Sequence, residues 1–123
     1  MNSIEVRITY TKTFNKQWAK CKLTVEDKVD LESQIQDFLN QSPENSHGKR
    51  YPGEFIQQTG GALKLRYTPV ADNQGKSGAY RTIYFVAARD HLIFLMVYPK
   101  NKKVTLSNSE KADLKKLTEV FKN

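Results

Sequence analysis

From Ile4 to Thr11 the chain alternates, with Ile4, Val6, Ile8 and Tyr10 set against Glu5, Arg7 and Thr9. A period of two predicts a strand with one buried face. The period then lengthens. Thr13 opens an amphipathic stretch in which Phe14, Trp18 and Cys21 fall at helical spacing. Thr24-Val25-Glu26-Asp27 resembles a capping box, with a hydroxyl for the free amides and acids near the positive helix end. The helix it starts is expected to run to about Asn40, because Leu31, Ile35, Phe38 and Leu39 share one face.

Periodicity lapses from Gln41 to Gln58, where Ser42-Pro43-Glu44-Asn45 and Tyr51-Pro52-Gly53 are turn-formers. This stretch reads as a long surface connection. Strand patterns return at Ala62 to Val70, Tyr80 to Ala88 and Leu92 to Pro99. Asp72 to Gly78 is a flexible loop between the first two, and Arg89-Asp90-His91 is a tight reversal between the last two. Leu92 to Val97 is apolar without alternation, which predicts a strand covered on both faces. Ser107 to Glu110 matches a second capping box, and Leu114, Leu117, Val120 and Phe121 form the expected buried stripe of a last helix. The order is β-α-α-β-β-β-α, a small α+β domain: an N-terminal strand, two helices, a three-stranded antiparallel meander and a C-terminal helix.

At 123 residues the chain suits a single domain, 1–123. No run of about 18 apolar residues suggests a membrane span, and Met1 to Glu5 lacks a secretory pattern. A soluble cytoplasmic protein is expected. Cys21 is the only cysteine and reads as a core thiol, which excludes an internal disulfide and a cysteine-based zinc site. His47 and His91 are the only histidines, both expected in turns or loops, and are too few for most metal sites or histidine-paired catalysis. No cofactor is expected.

Charge changes the picture more. The net is +7, from 20 basic and 13 acidic residues. Residues 1–59 carry eight of each sign, whereas residues 60–103 carry eight basic residues against only Asp72 and Asp90. A solubilising surface would spread the excess. A one-signed middle third attracts polyanions instead, which points to nucleic acid or an acidic protein partner. Strand alternation places Lys64 and Arg66 on one face, with Leu63, Leu65 and Tyr67 on the other. Arg81 begins the next strand, and Tyr98 and Lys100 end the third, so a meander can bring these groups to one concave face. Arginine suits bidentate phosphate recognition, while lysine is a point charge that releases its proton more readily beside other cations. Gly75-Lys76-Ser77-Gly78 lacks the spacing and following helix of a P-loop, so nucleotide hydrolysis is rejected.

Three segments in this order carry a family resemblance: Thr59-Gly60-Gly61-Ala62-Leu63-Lys64-Leu65-Arg66, Gly75-Lys76-Ser77-Gly78-Ala79-Tyr80-Arg81-Thr82-Ile83-Tyr84-Phe85, and Tyr98-Pro99-Lys100-Asn101. They resemble the RelE/HigB superfamily of toxins, and the HigB-like branch most. The resemblance covers about residues 2–120 in element order, with its specific motifs between 59 and 101. It departs at Leu63, where the branch often has a basic residue, and at Lys102-Lys103-Val104-Thr105, where acids are usual.

The resemblance implies a RelE-like fold and a ribosome-dependent mRNA endoribonuclease paired with an antitoxin, one that carries a helix-turn-helix DNA-binding domain. It carries the catalytic roles onto Lys64, Arg66, Arg81, Tyr98 and Lys100. The reaction would be attack of a ribose 2′-hydroxyl on the adjacent phosphate. Lys64 is the expected base, Arg66 and Arg81 stabilise the phosphorane, and Lys100 is the acid or a second clamp. Tyr98 would stack on or orient a base, and Lys76, Lys102 and Lys103 would hold RNA nearby. Such a site lacks a conventional near-neutral base, so a ribosome that orients the mRNA can supply what the chemistry lacks. Two other readings stay open: a basic RNA- or ribosome-binding module without catalysis, and a gyrase-poisoning toxin of the same fold. The four cations together favour the nuclease over the gyrase poison.

Overall fold

The computed structural model describes residues 5–41, 49–72, 79–103 and 105–122. Its elements are β1 (Arg7–Tyr10), α1 (Lys12–Lys20), α2 (Val25–Gln41), β2 (Glu54–Phe55), β3 (Ala62–Tyr67), a 3-10 turn (Val70–Asp72), β4 (Tyr80–Ala88), β5 (His91–Pro99) and α3 (Asn108–Phe121). This is the expected α+β order with one strand added.

Capping chemistry sets the helix starts. The Thr11 hydroxyl accepts from the Phe14 amide at 3.2 Å, so α1 begins before the expected Thr13. Thr24 and Asp27 exchange bonds, the Asp27 amide to the Thr24 hydroxyl at 3.0 Å and the Thr24 amide to the Asp27 carboxylate at 2.9 Å. Ser107 and Glu110 do the same at α3. Each box satisfies amides that a helix start otherwise leaves unpaired.

The strands form one sheet in the order β1-β5-β4-β3-β2. β1 runs parallel to β5 and the other pairs are antiparallel. α1 and α2 cover one face, where Phe14, Trp18, Leu31 and Ile35 meet Leu63, Tyr67, Tyr84, Phe94 and Val97. Tyr84 and Phe94 stack there at 5.0 Å. α3 lies on the other face, against Ala62, Ile83, Phe85, Ile93, Leu95 and Tyr98. β5 is therefore buried from both sides, as its unbroken apolar run predicts.

Four expectations need correction. The stretch from Gln41 to Gln58 is not all surface connection. β2 lies within it and pairs with β3, and the buried Pro52 accepts a hydrogen bond from the Tyr84 hydroxyl. Gly53 permits this approach, because a Cβ there would lie 2.4 Å from the Lys64 carbonyl oxygen. The first meander strand stops at Tyr67, and Val70 belongs to the 3-10 turn. β1 is shorter than expected, starting at Arg7; Ile4 lies outside the described residues.

The last correction concerns α3. Leu114 is buried and Phe121 half-buried, but Leu117 and Val120 are exposed. Thr118 takes an inward position instead, donating to the Thr59 carbonyl at 2.8 Å. That bond ties α3 to the turn before β3 and sets which side of the helix meets the sheet.

Candidate nucleic-acid site

Strand register decides which cations meet. Arg66 on β3 lies directly opposite Arg81 on β4, and Arg81 directly opposite Tyr98 on β5. Directly paired residues share a face, so these three form one row across three strands. Lys64 is two residues before Arg66 and therefore on the same side. This is the face that α3 covers in part. The expected cluster of Lys64, Arg66, Arg81 and Tyr98 thus shares one side of the sheet.

Tyr98 reaches that side through an irregularity. Ile83 pairs with Met96, but the next residue, Tyr84, pairs with Phe94, so Leu95 is inserted into β5. Simple alternation would put Phe94 and Tyr98 together. With the insertion, Phe94 joins the α1–α2 core while Tyr98 joins the opposite cluster. A bulge re-aims every side chain beyond it.

Lys64, Arg66 and Tyr98 line an open cleft of about 800 Å³ together with Phe55, Leu106 and Lys111, whereas Arg81, between Arg66 and Tyr98 in the row, is not among the residues that line it. Lys64 is half-buried and Arg66 exposed. Neither side chain has a hydrogen-bonded or ion-paired partner among the described residues. Arg81 is half-buried and donates weakly to the Tyr80 carbonyl at 3.4 Å. Tyr98 is only 5% exposed, and its hydroxyl is buried without a hydrogen-bond partner. Burial pushes this phenol up, against the opposing pull of Arg81. It is therefore a neutral donor, held where nothing in the described chain accepts from it.

The remaining predicted cations are not all at the cleft. Lys103 turns inward to pair with Glu110, and its ammonium lies 5.3 Å from the centre of the Tyr98 ring. That position is one a stacked base would need, so in this arrangement the Tyr98 ring is not open to a base on that side. Lys100 is exposed in the turn after β5, its amide bonded to the Ala79 carbonyl. Lys102 is exposed and acts electrostatically on the Cys21 thiol at the end of α1. Lys76 lies outside the described residues. His91 bonds Thr9 and Arg7 on the β1 edge, far in sequence register from the cationic row.

Lys49, Phe55 and Lys111 also line the cleft and escape a reading of strand motifs. Lys49 is ion-paired with Glu54. No helix among the described residues is long and apolar enough to cross a membrane, and no group of three potential metal ligands occurs among them.

Comparison with known proteins agrees with this architecture. A family model described as "RelE toxin of RelE / RelB toxin-antitoxin system" matches residues 6–123. A solved structure of the E. coli toxin RelE, a double arginine-to-alanine variant in the free state, superposes with a TM-score of 0.52 at 14% identity. That match covers 89% of this chain and 96% of the other. At that identity the likeness speaks for the fold alone. No curated protein sequence matches the chain.

Proposed function

Because this chain belongs to the RelE toxin family of toxin–antitoxin systems, we propose that it is a ribosome-dependent mRNA endoribonuclease that inhibits translation. The observation that carries the reading is the row Arg66–Arg81–Tyr98, in direct register beside Lys64, on the face that borders the cleft. An acidic substrate with a developing negative charge at phosphorus suits that row. A ribose 2′-oxygen attacks the adjacent phosphorus, and the bond to the 5′-oxygen breaks. The products are a 2′,3′-cyclic phosphate and a free 5′-hydroxyl.

Lys64 is the base that takes the 2′ proton. The guanidiniums of Arg66 and Arg81 stabilise the phosphorane by paired, charge-assisted hydrogen bonds. Lys100 supplies the proton to the leaving oxygen after moving from its exposed turn. The Tyr98 hydroxyl, which lacks a partner within the described chain, orients the RNA strand beside the reacting phosphate. The ribosome contributes orientation, which is worth up to about 7–11 kcal/mol in favourable cases. The partner implied is an antitoxin with a helix-turn-helix DNA-binding domain.

Primer extension on an mRNA in a reconstituted translation system tests this directly. Cleavage is expected with ribosomes and to be weak without them. Binding to programmed ribosomes without any cut would support a basic binding module in its place.

A further inference from the structure

Lys111 is a cation that the fold itself does nothing to reward. It closes the first turn of α3, the end of the helix where the backbone dipole favours negative charge. Its neighbour one turn on is Lys115, a like charge. No hydrogen-bonded or ion-paired partner for its ammonium occurs among the described residues. Yet it is half-buried and lines the same cleft as Lys64, Arg66 and Tyr98, reaching it from the helix rather than from the sheet. Tyr98, 95% buried, also lines that cleft, and its buried hydroxyl has no acceptor.

We propose that Lys111 and the Tyr98 hydroxyl form a second phosphate contact, which holds the RNA backbone at a phosphate other than the scissile one. The proposal rests on the nuclease reading for the identity of the polyanion. The cleft is larger than one phosphate needs, and about 800 Å³ suits a ligand of nucleotide size or more. A phosphate there gives the phenol its acceptor and Lys111 its counter-charge. It also explains a lysine placed where helix stability disfavours one. Lys111 is in this scheme a binding residue: it fixes the register of the strand and leaves the bond-breaking step to the sheet.

The test compares the parent with Lys111→Gln and Lys116→Gln. Glutamine keeps helix propensity, and Lys116 is an exposed lysine of the same helix outside the cleft. Affinity for a short 2′-O-methyl RNA, which cannot be cut, is measured over a range of salt. Cleavage on programmed ribosomes is measured in parallel. Lys111→Gln is expected to weaken binding by about three- to tenfold and to reduce the salt slope by about 0.7, the loss of one single-strand phosphate contact. KM rises while kcat holds, and Lys116→Gln matches the parent. If the parent cleaves but Lys111→Gln equals it in affinity and slope, the second contact is overturned and the nuclease reading stands. If the parent binds the RNA with the expected Lys111 dependence but never cleaves, the contact stands and the nuclease reading falls. A parent that neither binds the free RNA nor cleaves on programmed ribosomes overturns both, and if it cleaves on ribosomes only, an unchanged KM in Lys111→Gln overturns the contact.

Discussion

Arg66 and Arg81 stand directly opposite each other on β3 and β4, two guanidiniums in cross-strand register. Like charges placed this way destabilise a sheet. Arg66→Gln is therefore expected to raise the urea midpoint slightly, by a stability gain of about 0.2–1 kcal/mol, more at low salt than at high. The same pair is what a phosphorane needs. Arg81→Ala is expected to fold and to lose about 10²–10³ in cleavage rate, the usual loss when one donor to a developing anion is removed. Parental cleavage by a folded Arg81→Ala protein would remove Arg81 from the mechanism.

Tyr98 poses a similar opposition between stability and function. A buried hydroxyl without a partner costs about 1–3 kcal/mol of desolvation. Tyr98→Phe removes it with little change in shape. The variant should melt at the same temperature as the parent or higher, while binding uncleavable RNA several-fold more weakly. Calorimetry and an affinity titration on the same preparation separate the two effects. A lowered melting temperature would mean that the hydroxyl already has a structural partner in solution.

Much of this arrangement is legible in the sequence, and the reasons differ by residue. Helix starts are local, so Thr24 with Asp27 and Ser107 with Glu110 announce themselves. The shared face of Lys64 and Arg66 follows from alternation, whereas Arg81 joins them through the β3–β4 register across twelve intervening residues, which alternation alone does not fix. β2 is hidden because its two residues are both exposed and sit in a Pro- and Gly-rich stretch, so no apolar pattern marks them. Leu117 and Val120 look like core because helical spacing cannot tell which side the Thr118–Thr59 bond will turn inward. The bulge at Leu95 leaves no periodic trace inside an all-apolar run, though it decides where Tyr98 points. Lys111 is invisible for a different reason: it joins the site only through the docking of α3.

Asp27 sets an acid limit on the fold. It is 5% exposed, yet its carboxylate accepts from the Thr24 amide and hydroxyl, the Val70 amide and the Tyr67 hydroxyl. Burial alone would raise its pKa, but these donors outweigh it and hold the group below its ordinary value of 3.8. A carboxylate lowered in the folded state gives stability that is complete above the unfolded value. That stability is lost as pH falls through the folded one. The parent should therefore lose stability progressively below about pH 4. Asp27→Asn should flatten that acid limb and cost about 1–3 kcal/mol at neutral pH, where hydrogen bonds to a charged acceptor are lost. Denaturant melts from pH 2.5 to 7 measure both; an unchanged acid limb in the variant would assign it to other carboxylates.

The last prediction concerns the partner. Residues 60–103 carry eight basic against two acidic side chains, and Lys64, Arg66 and Lys111 have no ion-paired partner among the described residues. A free protein of this kind, cutting mRNA, would stop its own host's translation, so a neutralising antitoxin is expected from a neighbouring reading frame. It has two ways to work. Acidic residues laid into the cleft would satisfy the cations in place of RNA, whereas bulk placed elsewhere would keep the protein off the ribosome. The unpaired cations favour the first, and the two differ in salt response. An acidic cover is held by screened Coulomb attraction, so raising salt from 0.1 to 1 M, which shortens the Debye length from about 10 to about 3 Å, should weaken the complex markedly. Arg66→Gln and Lys111→Gln should each weaken it too and flatten that salt dependence. A co-purified complex indifferent to both salt and these substitutions would assign neutralisation to bulk, and a chain harmless when expressed alone, with no neighbour that binds it, would leave only the basic binding module.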